Sequence, residues 1–230
     1  MKLSVIIPAL NEAANIGNAV RHAIELAPHE VLVVDGGSTD GTRELVAKLQ
    51  CRLIESPRGR SFQQNLGARE STGDTLLFLH ADCWLSSIAA QQMEQTLRSS
   101  CIPGGVFCQR IEARGSTFRF LEAGNALRVC FTRLAFGDQG IFLRREVFES
   151  LGGFPETRLM EDLLLMRKLR DAGRLALLPG PLHVDARRWQ KHGPVRQTLR
   201  NWVLLAAEQL GVSPDRLASF YLPHWQKLSR

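Results

Sequence analysis

Aromatic residues are scarce in this chain, at 7% of 230 residues with a single tyrosine. The basic runs therefore lack the interleaved stacking side chains that a single-stranded nucleic-acid surface needs, and no nucleic-acid module is recognisable. Nucleic acid is not an expected partner. Cysteine is limited to Cys51, Cys83, Cys101, Cys108 and Cys130. That odd number at irregular spacing, with no CxxC pair, argues against a structural zinc site and for free thiols in a reducing compartment. No run approaches the ~20 apolar residues of a membrane span. The apolar stretch of the opening MKLSVIIPALNE is too short for a signal-peptide core and has no small-residue cleavage site after it. A cytoplasmic protein is expected. No Pro/Gly/Ser-rich linker, internal repeat or low-complexity segment appears, so residues 1–230 are expected to form a single domain.

What is present supports a full core: 44% of residues are hydrophobic and 23% charged. The net charge of +6 favours partners that carry phosphate or lie on anionic membranes. Arginine is concentrated at Arg58–Arg60, Arg187–Arg188 and Lys191–Arg200.

The first half alternates apolar β-branched runs with helical patterns. Strands are expected at Ser4–Pro8, Glu30–Asp35, Arg52–Glu55 and Asp74–His80. Helices are expected from Ile16 to Ile24 and at Thr42–Gln50, Ser61–Glu70 and Ser87–Arg98, with Ser61 and Gln64 spaced as a capping box. Apolar strands without polar alternation are buried on both faces, which predicts a mostly parallel α/β sheet covered by helices. The second half is less regular. Strands are expected at Val106–Ile111, Gly140–Leu143 and Leu175–Leu178, and helices at Thr117–Leu134 and Asp162–Ala172. Pro194–Leu210 and Pro214–Leu228 read as amphipathic C-terminal helices, the second with Pro214 at N1 behind Ser213.

In an open α/β sheet, ligands bind beyond the carboxyl ends of the strands. Asn11 and Glu12, Asp35, and Asp82 all fall there. Carboxylates gathered at one edge repel unless a cation or donor groups lie between them. VVDGGSTDGT (Val33–Thr42) places a glycine-rich loop after a strand. It is not a dinucleotide fingerprint, because position 38 is serine, and it lacks a Walker lysine. A tight turn with Asp40 or Thr39 capping the next helix fits it equally. Asp35 closes its strand, where a carboxylate accepts well from the ring N–H of a base. In LLFLHADCW (Leu76–Trp84), strand alternation would turn His80 and Asp82 to one side. A single carboxylate together with diphosphate oxygens suits Mg²⁺ or Mn²⁺; a helix start after a strand is the plainer alternative. In LMEDLLLMRKL (Leu159–Leu169), Glu161 and Asp162 stand at a helix start, where acids also complement the macrodipole.

SVIIPALNE, VVDGGSTDGT, GRSFQQNLGARESTGDTLLFLHAD, GGF and MED, in this order, resemble glycosyltransferase family 2 over about three-quarters of the chain. The resemblance implies the GT-A fold and an inverting, metal-assisted transfer from a UDP- or GDP-sugar to an acceptor hydroxyl. It implies a nucleotide-binding half at 1–100, an acceptor and catalytic half at 101–190, and a C-terminal helical extension at 191–230. Asp35 matches the residue that holds the base; Pro8, Ala9, Glu12 and Gly37 match the nucleoside pocket. His80-Ala81-Asp82 stands where Asp-x-Asp is usual, so Asp82 is the expected ligand of Mn²⁺ or Mg²⁺. His80 replaces the first aspartate, and Gly36 the second aspartate of the usual VDDGS. Asp162 matches the general base, with Glu161 binding the acceptor or orienting the loop. Arg58, Arg60, Asn65, Arg187 and Arg188 are candidates for donor contacts, Arg60 foremost, and His183 for the metal shell.

The LLFLHAD strand and DARRWQKHG (Asp185–Gly193) are similar to a small bacterial branch described as arsenosugar-biosynthesis glycosyltransferases. The acceptor is left open between a small molecule and a lipid. Trp202, Leu204, Leu205, Leu210, Phe220, Tyr221, Leu222 and Trp225, with Lys191, Arg196 and Arg200, suit core packing, a homodimer contact or a peripheral seat on the inner membrane face. Two other classes share parts of the pattern. A non-catalytic nucleotide-sugar-binding scaffold would explain His80 and Gly36, but not the retention of Asp82 and Asp162. A sugar-nucleotide pyrophosphorylase would need a glycine/arginine-rich N-terminal loop ending in lysine, which the sequence lacks.

Overall fold

The computed structural model of the chain describes residues 1–187, 189, 193, 200, 203–208 and 210–220. Its strands are β1 (Leu3–Ala9), β2 (Glu30–Asp35), β3 (Arg52–Glu55), β4 (Thr75–Phe78), β5 (Cys83–Leu85), β6 (Gly104–Ile111), β7 (Ile141–Arg144) and β8 (Ala176–Val184). Its helices are α1 (Ile16–Glu25), α2 (Thr42–Val46), α3 (Arg60–Glu70), α4 (Ile88–Leu97), α5 (Ser116–Thr132), α6 (Arg145–Ser150), α7 (Glu161–Ala172) and α8 (Pro214–Phe220), with a short 3-10 helix at Gly137–Gln139. The strands form one sheet in the order β3-β2-β1-β4-β7-β6-β8-β5. Strands β1 to β4 are mutually parallel. β7 runs antiparallel to both β4 and β6, so β6 and its parallel neighbour β8 share the direction of β1. β5 lies antiparallel on the far edge.

The apolar runs form strands because both faces are covered. On one face, Val5 and Ile7 of β1 pack with Ile16, Ala19, Val20 and Ala23 of α1 and Ala89, Met93 and Leu97 of α4. On the other, Ile6 and Val34 pack with Ala68 of α3, Phe148 of α6 and Leu163, Met166 and Leu169 of α7. These residues are almost fully buried, the Val, Leu, Ile, Met and Phe side chains each contributing about 1.5–3 kcal/mol of transfer free energy.

Several expectations need correction. The Ser61/Gln64 capping box does not form. Helix α3 begins at Arg60, its N-cap is Gly59, which has no side chain to offer, and Ser61 and Gln64 are buried inside the helix. The second helix stops at Val46 rather than Gln50. β4 ends at Phe78 rather than His80, and β8 extends to Val184 where Leu178 was the expected end. β5 and α6 have no counterpart in the expected elements, since three and six residues carry too little periodicity to read. Ser213 Oγ accepts the N–H of Arg216 at 3.4 Å, the N-cap expected before Pro214. Most of Pro194–Leu210 and residues 221–228 lie outside the described residues, as do Arg188, Lys191, Arg196, Trp202, Tyr221, Leu222 and Trp225. Among the described residues, no helix is long and apolar enough to cross a membrane.

Candidate active site

The carboxyl edge of the sheet carries two loops, and hydrogen bonds stitch them together. Ala9 ends β1, and Asn11 turns the chain with φ of 55°. The N–H groups of Asn11, Glu12 and Ala13 donate to Ser38 Oγ (2.9 Å), Thr42 Oγ1 (2.9 Å) and Asp40 Oδ2 (3.0 Å). Asn11 Oδ1 accepts the N–H of Thr39 in return, at 2.8 Å. The side chains of Ser38, Asp40 and Thr42 thus serve as acceptors for orphaned backbone N–H groups. Asp40 also accepts from the Thr42 N–H at 3.1 Å, so the tight turn forms, but the helix N-cap is Gly41 with no side-chain cap, and neither Asp40 nor Thr39 caps the helix as expected.

Asp35 is 1% exposed at the end of β2. Its Oδ2 accepts the N–H groups of Gly37 (3.0 Å) and Ser38 (2.9 Å), and its Oδ1 accepts the Ser38 hydroxyl. The residue expected to hold a base therefore also shapes its own loop. Beneath it sits a residue that sequence reasoning missed. Buried Gln63 donates through Nε2 to the carbonyls of Ala9 and Val34, each at 2.7 Å, clamping the ends of β1 and β2. A Cβ on Gly36 would stand 3.1 Å from the Gln63 carboxamide. Gln63 thus crowds the position where the usual VDDGS has its second aspartate.

His80 and Asp82 are brought together, but not by strand alternation. Past Phe78 the chain turns, with the Cys83 N–H donating to the His80 carbonyl at 3.0 Å, and crosses the sheet edge to enter β5. His80, Asp82 and Cys83 present ligand atoms that all lie within 4.8 Å of one another. Cys83, read in the sequence only as a free thiol, is buried next to Asp82, and its Sγ lies 3.5 Å from Asp82 Oδ1. A carboxylate with a neighbouring imidazole is a donor set that fits a divalent cation, Mn²⁺ better than Mg²⁺ because nitrogen is a poor magnesium ligand. His183 is not part of that group. Its ring stacks on Trp84 with centroids 5.5 Å apart, and its Nδ1 lies 2.6 Å from Glu112 Oε1.

The acid pair enters from the second half. Met160 adopts a left-handed conformation (φ 64°) just before α7, a strain that costs a non-glycine residue about 1–2 kcal/mol. It turns Glu161 and Asp162 inward, leaving them 3% and 5% exposed. Asp162 Oδ2 accepts the Gly137 N–H at 3.0 Å, whereas Oδ1 is buried with no hydrogen-bond partner among the described residues. A Cβ on Gly137 would collide with Asp162 Oδ2 and His80 Nε2, so only glycine lets the two side chains close on this turn. Burial, reinforced by the Glu161 carboxylate, pushes the Asp162 pKa up to about 7. Arg60 and the Gly137 N–H act in the opposite direction.

The donor-contact candidates separate. Arg60, at the start of α3, reaches the acid pair, with Nη1 3.1 Å from Glu161 Oε1 and 3.5 Å from Asp162 Oδ2. Arg187 stands over the first loop, 3.8 Å from Glu12 and 3.1 Å from Asp185. Asn65 is directed away from the edge. Its amide donates to the Phe154 carbonyl and accepts the Phe154 N–H, both at 2.9 Å, which ties residues 153–154 to α3. Pro8, Ala9, Gly37 and Ala81 lie on the same edge, on β1 or in the loops after β2 and β4. A cavity of about 520 Å³ lined by Met1, Asp74, Glu94, Arg98, Arg144 and Arg145 opens at the amino ends of β1 and β4, opposite the acidic edge.

A helix-covered, mostly parallel sheet with carboxylates beyond its carboxyl edge is the architecture of the GT-A glycosyltransferase fold, which the solved neighbours share. Residues 4–152 match the model for glycosyl transferase family 2, and the chain belongs to that family. AglE, a glycosyltransferase of Haloferax volcanii, is 29% identical over 195 residues, covering 74% of this chain and 62% of that protein. A PGL/p-HBAD biosynthesis glycosyltransferase of Mycobacterium bovis is 27% identical over 98% of this chain and 91% of that protein. Among solved structures, the Pyrobaculum calidifontis mannosyltransferase PcManGT, in complex with GDP-Man and Mn²⁺, superposes with a TM-score of 0.62 at 24% identity. It covers 80% of this chain and 56% of that one. S. aureus TarS with UDP-GlcNAc gives a TM-score of 0.59 at 21% identity, covering 80% and 58%. The chain thus spans less than two thirds of the length of AglE and of both solved neighbours.

Proposed function

We propose that the chain is an inverting glycosyltransferase that moves a sugar from a nucleoside diphosphate to an acceptor hydroxyl, with Asp162 as the general base. The observation that carries this reading is the Asp162 carboxylate. One oxygen is fixed by the Gly137 N–H, the other is buried and unbonded, and the pKa is raised to about 7. A base whose pKa lies near working pH combines the ionised form with useful proton affinity, worth about 10²–10⁴-fold in rate. The acceptor oxygen attacks the anomeric carbon from the face opposite the diphosphate. Its proton passes to Asp162, the bond from the anomeric carbon to the diphosphate oxygen breaks, and that oxygen leaves with the electron pair.

The half at 1–100 would hold the donor, with Asp35 at the base and Pro8, Ala9, Glu12 and Gly37 around the nucleoside, while Arg187 from the second half would face the phosphates. A UDP or GDP donor is favoured by the GDP-Man and UDP-GlcNAc bound in the two solved neighbours. Asp82, with His80 beside it, would hold a divalent cation; when bound, such an ion neutralises charge on the departing diphosphate. Arg60 keeps Glu161 and Asp162 from repelling each other apart and orients the base.

The test is transfer by Asp162→Asn, measured with UDP binding over a panel of nucleotide sugars with Mn²⁺. Loss of transfer and of acceptor-free hydrolysis, with UDP binding retained, supports the assignment. Near-normal transfer by Asp162→Asn overturns it. Wild-type protein that binds UDP but turns over no donor would establish a binding scaffold instead.

A further inference from the structure

Helix α5 presents an apolar face to solvent. Phe120, Leu127 and Phe131 are 78%, 56% and 84% exposed. At about 100° per residue, positions 120, 127 and 131 fall within a ~40° arc, forming a stripe about 16 Å long. Ala123 and Gly124 on the same side are also exposed, so small residues fill the spaces between the large ones. Such a continuous stripe differs from scattered surface hydrophobics, which need no explanation.

Exposed arginines flank the stripe. Arg114 precedes the helix and Arg133 ends it, both exposed. Arg133 and exposed Arg174 line a cavity of about 270 Å³ together with Val129, Cys130, Leu175 and Leu177. Glu122 is the one acid within α5. It is turned inward, accepting the Ile111 N–H at 2.6 Å and pairing with Arg119 at 3.0 Å.

We infer that the outer face of α5 is an interfacial surface that docks on an anionic lipid bilayer. Phe120, Leu127 and Phe131 enter the acyl boundary while Arg114, Arg133 and Arg174 meet lipid phosphates. A second copy of the chain fits this face less well. The stripe offers roughly 400 Å² per copy, about half of what a stable dimer buries per partner. A two-fold contact would also bring the arginines of both copies together. The inner face of α5 is tied to the candidate site. Arg128 donates to the Leu134 carbonyl (2.7 Å) and to Gln139 Oε1 (2.8 Å). Asn125 donates to Gln109 (2.7 Å), which in turn donates to the Asp138 carbonyl (2.8 Å). The docking surface and the turn that carries Gly137 therefore share one rigid support.

The experiment is co-sedimentation of the full chain with phosphatidylcholine vesicles, with and without phosphatidylglycerol, at low and high salt. The expected result is pelleting with phosphatidylglycerol only, weakened by salt. Phe120→Ser/Phe131→Ser should lower the bound fraction about tenfold, and Arg114→Glu/Arg174→Glu should remove the preference for anionic lipid. Cooperative urea unfolding of each variant at the wild-type midpoint shows that the fold is retained, and this control does not depend on the transferase reading. The inference is overturned if wild-type protein stays in the supernatant, or if both variants pellet as wild type does. A dimer in sedimentation equilibrium that the phenylalanine changes dissociate would also overturn it, by assigning the face to a second copy.

Discussion

At about pH 8, Asp162→Asn is expected to unfold at higher urea concentration than the wild type, although it should abolish transfer. Asp162 is buried beside Glu161, and its pKa is raised from 3.8 to about 7. A carboxyl whose pKa is higher folded than unfolded destabilises the fold once ionised. The penalty is absent well below pH 4, grows between about pH 4 and 7, and is complete above that. At about 1.4 kcal/mol per pH unit, the full span is worth about 4 kcal/mol. Asparagine keeps an oxygen for the Gly137 N–H but carries no charge. The advantage of the variant should therefore widen by about 2–3 kcal/mol between about pH 5 and about pH 8, with unchanged urea m-value. The measurement is equilibrium urea unfolding of both proteins in chelator at the two pH values. A gap that stays constant with pH would refute the claim that Asp162 is held ionised at a cost to folding.

Asp82→Ala should remove the Mn²⁺ dependence of nucleotide binding measured by calorimetry; retained dependence would move the cation elsewhere. Gln63→Leu leaves the Ala9 and Val34 carbonyls without their donor, so it should cost about 2–3 kcal/mol in urea unfolding and raise the donor KM. Asn65→Ala should cost about 1–3 kcal/mol yet leave nucleotide affinity intact, because its amide serves Phe154; a large loss of affinity would return Asn65 to the donor pocket. Gly137→Ala should retain cooperative unfolding but lower kcat about 10²-fold by displacing Asp162, and normal kcat would show that the turn is not needed to place the base.

The sheet was legible wherever strands were long, apolar and buried on both faces. EVLVVD became β2 at the expected bounds because nothing but a covered strand suits that run. Antiparallel β5 and β7 were harder, since three or four residues look alike in either direction and their direction depends on partners distant in the chain. Within the candidate site, residue type and order pointed to Asp82, Glu161 and Asp162. Their supports were not readable. Gln63 looked like one more polar helical residue, and only the approach of α3 to β1 and β2 makes it a clamp. Gly137 carries no chemistry of its own, yet its N–H and its missing Cβ position the Asp162 carboxylate. The Asn65 partners were hidden for a different reason: its position on α3 faces residues 153–154, which no local pattern discloses.

The hydrogen bonds that join Asn11, Glu12 and Ala13 to Ser38, Asp40 and Thr42 bear on how a nucleotide enters. Backbone that is already ordered has little freedom left to lose when a guest arrives. For the proposed nucleotide donor, capture at these loops would then proceed without prior rearrangement, at a rate governed by diffusion and charge.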